Sequence, residues 1–187
     1  KLGDEKDITL ARDGDSAAFR RIVRRYTPLI YSLCRRMLGS TEEAEDAVQD
    51  IFFKVYRSLD TFDPSRRFYS WLYTIAVNHL RSLQRKRSTS PSKILPFDHT
   101  VDDSVRMDRH TQGPDENTIS KEGERLAQHA LDRLEVDYRE VFTLRVVEGL
   151  SVRDSAEILG IPENTVKVKL HRAKKQMLEI MKKFEWE

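Results

Sequence analysis

Residues 151–173 read SVRDSAEILGIPENTVKVKLHRA, and this stretch decides the fold of the C-terminal part of the chain. Ser151 followed by Asp154 is typical of a helix start, because the serine side chain can accept from free N–H groups of the first turn. Gly160 permits the left-handed backbone that ends a helix, and Pro162 prevents that helix from continuing. The spacing predicts a helix-turn-helix, in which a sharp turn joins two helices.

The second helix of this unit has an apolar inner face and a basic outer face. Asn164 or Thr165 is expected to cap it. Val166 and Leu170 then point inward, and small Ala156 lets the two helices cross closely. The outer face presents basic side chains to a DNA groove and its phosphates: Lys167, Lys169, His171, Arg172 and Lys174. An ordinary helical hairpin with a basic exterior is the alternative, but it does not require this combination of residues.

Length and composition favour small helical units for the rest of the chain. The chain has 187 residues, of which 39% are hydrophobic and 34% charged, with only seven glycines and six prolines. That content is too low in turn residues for an all-β fold. Cys34 is the only cysteine, which excludes an internal disulfide and a cysteine-based zinc site. No apolar stretch approaches the roughly 18 residues of a membrane span. A cytoplasmic, all-α protein is therefore expected.

The N-terminal half shows three helical patterns. Apolar residues recur at three- and four-residue steps over 16–38, which predicts one helix or a helix pair. A second pattern covers about 42–58, and a third, over about 68–87, is aromatic at its start and basic at its end. Three polar residues lie off the apolar stripe of the second helix: Asp46, Gln49 and Asp50.

Charge is distributed in blocks, although the net charge is only +2. Residues 81–93 and 164–175 each hold five basic residues and no acid, whereas 98–118 hold six acids against two bases. Solvated helix faces would explain any single block, but two acid-free basic blocks favour two surfaces that face phosphates. The predicted organisation is a helical domain, a flexible acidic linker and a second helical domain, over 1–90, 91–118 and 119–187.

These motifs resemble those of bacterial extracytoplasmic-function (ECF) sigma factors of the sigma-70 family. The helix-turn-helix, together with LRVVEGL at 144–150, is similar to region 4 of that family. AEDAVQD at 44–50, followed by FYSWLYTIAVN at 68–78, is similar to region 2. Both halves match in the family's order. The resemblance implies a protein that binds core RNA polymerase, reads the −35 promoter element with region 4 and melts the −10 element with region 2.

The resemblance also implies roles for individual residues. Asp46, Gln49 and Asp50 would dock onto the clamp helices of the largest polymerase subunit. The −10 element, with one base flipped out, would be held by Phe62, Ser65, Arg66, Trp71, Asn78, Arg81 and Arg85. The −35 element would be held by Arg145, Ser151, Asn164, Thr165, Lys167, Lys169, His171, Arg172 and Lys174. Core packing is the alternative for Trp71 and its apolar neighbours, and it is expected for about half of them.

The implied partners are core RNA polymerase, through its β and β′ subunits, and promoter DNA. Whether an anti-sigma factor also binds is left open by the sequence. A rival interpretation is a two-domain transcriptional regulator, but residues 16–90 lack the βα alternation of an effector domain. An enzyme is a third class. The five histidines fit no metal-ligand spacing, and no nucleophile motif or glycine-rich phosphate loop occurs. We therefore predict no catalytic residue, no metal and no cofactor.

Overall fold

The computed structural model describes residues 2–89 and 114–184, with side chains over 4–87 and 123–183. These ranges are helical and contain no strand, which confirms the predicted all-α class. The α-helices are α1 Leu2–Arg12, α2 Ser16–Leu38, α3 Thr41–Ser58, α4 Phe68–Thr89, α5 Pro114–Asp132, α6 Val136–Phe142, α7 Val152–Leu159 and α8 Glu163–Phe184. A 3-10 turn, Leu59–Thr61, follows α3, and a π-helical turn, Thr143–Val147, follows α6.

Most of the predicted acidic linker over 91–118 lies outside the described residues. Its last part, 114–118, belongs to α5, so the second helical unit begins at Pro114 rather than near residue 119. Proline suits the first turn of a helix because the N–H that it lacks would have no partner there.

The first domain is built around α2 and α3, which form an antiparallel pair. The Asp15 carboxylate caps α2 by accepting from the N–H of Ala17 at 2.7 Å. Gly39 then ends α2 with a left-handed φ of 78°, which other residues adopt only at a cost. Ser40 directly caps α3 by accepting from Glu43 N–H. Because the turn is so short, α3 packs back along α2, and the 16–38 pattern forms one helix rather than two.

Helix α1 was not predicted, and charged contacts hold it to α2. Asp7 accepts hydrogen bonds from Arg21 at 2.9 Å and from Arg25 at 3.1 Å. Asp4 pairs with Arg25 and accepts from the Tyr26 hydroxyl at 2.9 Å. The hydrogen bond from Arg21 lowers the pKa of Asp7 despite partial burial. A helix stabilised in this way has little apolar periodicity, so its sequence pattern is weak.

The two domains share one hydrophobic core. Buried residues of α2, α3 and α4 form a continuous cluster with residues of the C-terminal domain: Val141, Leu144, Ala156, Ile158, Leu159 and Val166. Helix α7 packs against α4, and α5 packs against α2. A smaller cluster, including Leu131 and Met177, packs α5 against α8. Region-to-region packing of this kind was not predicted from the sequence.

The helix-turn-helix begins as predicted. Ser151 caps α7 by accepting from the N–H of Asp154 at 3.0 Å. Gly160 ends α7 with a left-handed φ of 67°, and the N–H of Ile161 returns to the carbonyl of Ala156 at 3.1 Å. These two bonds fix the turn that sets α8 against α7.

The predicted cap of the second helix is wrong by a few residues. Helix α8 begins at Glu163, and the N–H of Val166 donates to the carbonyl of Pro162 at 3.1 Å. Asn164 and Thr165 therefore lie within the first turn rather than before it. The reason is that Pro162 supplies both the fixed φ and the carbonyl with which the helix starts. Val166 is fully buried, as predicted.

Candidate nucleic-acid interface

The outer face of α8 is exposed and basic. Lys167, His171 and Lys174 follow one another at steps of four and three residues, so they share this face. Asn164 and Arg172 are exposed beside them. Val168 is also exposed, and it adds an apolar group between the basic side chains of this surface. A helix with this exterior can enter a DNA major groove, with base edges below it and phosphates on both sides.

Two of the remaining positions predicted for the −35 element, Lys169 and Ser151, make contacts within the protein. Lys169 is half-buried and pairs with Asp137 of α6. The Ser151 hydroxyl donates to the Asp154 carboxylate at 2.7 Å while it caps α7. Thr165 and Arg145 are half-buried. The exposed face of α8, together with the exposed Ser151, is therefore the part of this site that is open to a ligand.

Phe62 is buried, contrary to the expectation that it lies near the −10 strand. Its ring is 5% exposed and lies 5.4 Å from the ring of Phe68 and 5.2 Å from that of Trp71. The cause is the 3-10 turn before it: the N–H of Phe62 donates to the carbonyl of Leu59, which folds the chain back and directs the ring into the core. Trp71 is only half-buried at the edge of this aromatic cluster, whereas Phe68 is buried.

Four other residues predicted for the −10 element are exposed: Ser65, Arg66, Asn78 and Arg85. Ser65 lies in the loop before α4, where its N–H donates to the Asp63 carboxylate at 2.9 Å. This backbone hydrogen bond lowers the pKa of Asp63. Asn78 and Arg85 lie two turns apart on α4, so they share one exposed side of this helix.

Arg66 and Arg81 are each paired with a carboxylate of the C-terminal domain. The Arg66 guanidinium lies 2.6 Å from Glu157 of α7. Arg81 donates two hydrogen bonds of 2.7 Å to Glu140 of α6, and this contact raises the pKa of Arg81. In this conformation Arg81 is half-buried with its donors on Glu140, whereas the Arg66 side chain is paired but still 47% exposed.

Sequence reasoning missed Arg67, which belongs to the same set. Its guanidinium lies 2.9 Å from the Asp154 carboxylate of α7 and 3.2 Å from the Tyr69 hydroxyl. The contact with Tyr69 is the main cause of the raised pKa of Arg67, and Asp154 adds to it. The doublet Arg66-Arg67 before an aromatic helix start was the available signal for a second basic residue at this position.

The predicted polymerase-docking residues lie together on α3. Asp46, Gln49 and Asp50 are exposed and share one face with Phe53, which is 61% exposed. We name these four residues the α3 face. Phe53 was also missed, although its step of three from Asp50 places it off the buried stripe. An exposed aromatic ring beside carboxylates is typical of a protein interface.

A buried histidine connects the α3 face with α4. His79 Nδ1 lies 2.6 Å from the Lys54 ammonium and His79 Nε2 lies 3.5 Å from Asp50. Because an ammonium group can only donate, Nδ1 accepts and the ring proton is on Nε2, facing Asp50. Burial lowers the pKa of His79, and the Lys54 charge lowers it further. The neutral ring thus lies beside the exposed carboxylate of Asp50 without a hydrogen bond to it.

Comparison with known protein families shows the family to which this chain belongs. The chain matches the family model of Sigma-70 region 2 over residues 22–89 and that of Sigma-70 region 4 over 124–177. It is 34% identical over 177 residues to the ECF RNA polymerase sigma factor SigW of Bacillus subtilis, covering 92% of this chain and 94% of SigW. The chain belongs to the ECF sigma factors. It directs promoter-specific initiation of transcription, and its partners are core RNA polymerase and promoter DNA.

Solved structures share the fold of this sigma factor. CnrH, in complex with the cytosolic domain of CnrY, is 25% identical and has a TM-score of 0.69, with 96% of this chain and 97% of that chain covered. The sigma factor RpoE of Bartonella quintana, in complex with the anti-sigma factor NepR, is 24% identical and also has a TM-score of 0.69, with 88% and 96% covered. Within residues 2–89 and 114–184, no helix is both long and apolar enough to cross a lipid bilayer.

Proposed function

We propose that this sigma factor binds core polymerase through the α3 face and reads the −35 element through the outer face of α8. The observation that carries the proposal is that both surfaces are exposed and differ in charge. The α3 face combines two carboxylates with an aromatic ring, which suits a basic, partly apolar protein surface. The outer face of α8 carries the basic residues Lys167, His171, Arg172 and Lys174, which suits DNA.

Docking on the polymerase would use the clamp helices of the β′ subunit, and region 4 would contact the β subunit. Asp46 and Asp50 would form charged contacts, while Phe53 would supply the buried apolar centre that protein interfaces require. His79 would act as a positioning residue, because it touches Asp50 and not the partner.

Promoter reading would be divided between base and phosphate contacts. Lys167 and His171 are proposed to contact base edges of the −35 element, since they project from the centre of the exposed face. Arg172 is proposed to contact the flanking backbone. Ser151 and Lys169 would position α7 and α8 through their contacts with Asp154 and Asp137.

The −10 strand is proposed to lie along the loop before α4 and the exposed side of that helix. Ser65, Asn78 and Arg85 are accessible there. Arg66 and Arg81 would join them once their contacts with Glu157 and Glu140 are released. Trp71, half-buried at the edge of the aromatic cluster, could cover an unstacked base, whereas Phe62 would support that cluster from beneath.

The proposed role needs no catalysis by the chain itself, because the polymerase carries out nucleotide addition. We place the protein in the cytoplasm, at the nucleoid, where bacterial polymerase acts. The complex of RpoE with the anti-sigma factor NepR, from a chain of the same fold, favours an anti-sigma factor as a further partner.

The proposal is tested by transcription from a library of random-sequence templates with core polymerase and the protein. Sequencing the transcripts should reveal one preferred −35 and −10 pair that core polymerase alone does not select. Arg85→Ala with Asn78→Ala should reduce permanganate reactivity of thymines in the −10 region, which reports strand opening, without altering the preferred −35 sequence. Transcripts that start at random positions with the wild-type protein would refute the proposal.

A further inference from the structure

We propose that region 4 inhibits region 2 within the free chain: carboxylates of α6 and α7 occupy the arginines that would otherwise bind the −10 strand. Polymerase and promoter would have to displace these carboxylates before region 2 can hold DNA. This inference rests on the proposed role of Arg66 and Arg81 in DNA binding. We name the contacts between Arg66 and Glu157, Arg67 and Asp154, and Arg81 and Glu140 the interdomain latch.

The latch is made of direct ion pairs with short distances. Arg66 lies 2.6 Å from Glu157, Arg67 lies 2.9 Å from Asp154, and Arg81 lies 2.7 Å from Glu140. Every arginine belongs to region 2 and every carboxylate to region 4. All three pairs have the same polarity, so opposite charges of the two domains attract at these three points of the contact.

A fourth carboxylate fixes the arrangement through neutral partners. Glu148 accepts from the Ser32 hydroxyl at 2.8 Å and from the Tyr73 hydroxyl at 2.9 Å. Tyr73 is buried, and this burial, together with Glu148, raises the pKa of its hydroxyl. Glu148 therefore attaches the segment between α6 and α7 to region 2. This attachment keeps α6 and α7, which carry the latch carboxylates, next to region 2.

Carboxylates and DNA phosphates compete for the same arginine groups. A guanidinium binds either anion through the same parallel N–H donors. Arg81 already uses two donors on Glu140, whose side chain is only 3% exposed. A phosphate cannot take those donors unless Glu140 withdraws. The part of the −10 surface at Arg81 is therefore blocked in the closed chain.

The closed arrangement leaves the −35 helix accessible. Lys167, His171 and Lys174 remain exposed, and none of them takes part in the latch. The latch therefore covers DNA-binding residues of region 2 and not those of region 4. A free chain of this kind would be prevented from holding single-stranded DNA before it meets the polymerase.

The test measures the distance between the two domains in the full chain by fluorescence energy transfer. Dyes are attached at Glu42→Cys in region 2 and Lys182→Cys in region 4, since both positions are exposed. Cys34 does not compete for the dye, because burial raises the pKa of its thiol to about 12. The free protein should be closed in low salt and should open when core polymerase is added.

Variants of the acidic side then weaken the latch without touching the proposed DNA-binding residues. Glu140→Gln combined with Glu157→Gln should raise the open-to-closed ratio about tenfold or more. Glu163→Gln, an exposed acid of α8 outside the latch, is the matched control and should leave the ratio unchanged. Since Glu140 is buried, a swap guards against simple misfolding: Arg66→Glu or Glu157→Arg alone should open the chain, and the two together should close it again.

Binding of a fluorescein-labelled 20-nucleotide random single strand completes the experiment. The opened Gln variant should bind this strand several-fold more tightly than the wild type at equal salt. A latch variant that stays as closed as the wild type, or a swap that fails to close again, would overturn the inference. So would an opened variant with unchanged strand affinity. In that last case, strand opening by holoenzyme carrying Arg66→Gln and Arg81→Gln decides separately whether the −10 assignment also fails.

Discussion

Arg81 in region 2 and Glu140 in region 4 are joined by two hydrogen bonds of 2.7 Å across the interface between the domains. Their environments differ, because the Glu140 side chain is 3% exposed whereas that of Arg81 is 31% exposed. Removing Arg81 and removing Glu140 therefore have different consequences for the residue that remains. Without its partner, Arg81 can turn to water, but Glu140 can reach water only if the two domains separate.

This asymmetry predicts unequal effects on stability. Arg81→Met leaves a buried carboxylate without its partner and should destabilise the fold by about 3–5 kcal/mol. Glu140→Gln retains an acceptor and should cost less, about 1–2 kcal/mol. The measurement is urea unfolding at pH 7, with Arg20→Met on the exposed side of α2 as a control. Equal destabilisation by Arg81→Met and Glu140→Gln would contradict this account of the pair.

Docking on the polymerase should depend on the α3 face without affecting the fold. Charge reversal by Asp46→Lys and Asp50→Lys should weaken core binding by about 2–5 kcal/mol, because basic groups of the partner would lose their ligands. Phe53→Ala should weaken binding by about 1 kcal/mol or more. The thermal midpoint should stay close to that of the wild type, since Phe53 is 61% exposed.

Competition binding to core polymerase measures these effects. Glu5→Lys on α1 is a matched control, because this acid is exposed and lies outside the α3 face. Wild-type affinity in a folded Asp46→Lys, Asp50→Lys variant would remove both residues from the docking surface.

His79 should make the stability of region 2 fall in weak acid. Its pKa is lowered from 6.5 by burial and then by Lys54, while Asp50 acts in the opposite direction and Lys86 adds to the lowering. The unfolded chain therefore takes up a proton at higher pH than the folded chain. The contribution of neutral His79 to the free energy of unfolding is fully present above pH 6.5. It decreases as the pH falls from 6.5 towards the lowered pKa of His79 in the folded chain.

Urea unfolding at pH 7.5 and at pH 5.5 measures this change in the free energy of unfolding. His79→Gln, which can still accept from Lys54, should lose part of the decrease between the two pH values. His171→Gln on the outer face of α8 should retain it, because His79 is intact in that variant. Identical pH dependence in the wild type and His79→Gln would show that another group is responsible.

Local features of the fold could be predicted from the sequence, and contacts between distant segments could not. Ser151 and Gly160 act through backbone bonds within a few residues, so their roles are visible in the order of residue types. Phe62 was misplaced because its burial depends on the rings of Phe68 and Trp71. A hydrophobic pattern reports that a residue prefers burial, but it does not report which side of a loop meets the core.

The same limit applies to the interface between the domains. Arg81 and Glu140 lie in blocks whose charges are opposite, and the sequence shows both blocks. Pairing of two particular residues 59 positions apart depends on how α4 and α6 approach each other. Basic residues that bind DNA and basic residues that bind a carboxylate have the same composition, so only the structure separates them here.

The last prediction concerns base reading by α8. Lys167 and His171 occupy the centre of its exposed face, whereas Lys169 is half-buried and already pairs with Asp137. Loss of a base contact should cost about 1–3 kcal/mol and relax the preference at one position of the −35 element. Loss of a phosphate contact should weaken binding to all sequences alike and reduce the salt slope by about one.

Holoenzyme binding to promoters with a randomised −35 element, at several salt concentrations, distinguishes these cases. Lys167→Ala and His171→Ala should each relax one position, and Arg172→Ala should act uniformly. Lys182→Ala, in the last turn of α8, is the control and should do neither. If Lys167→Ala and His171→Ala lower the affinity uniformly and leave the preferred sequence intact, this face only positions the protein. Specificity would then reside in DNA shape, which a protein reads without touching base edges.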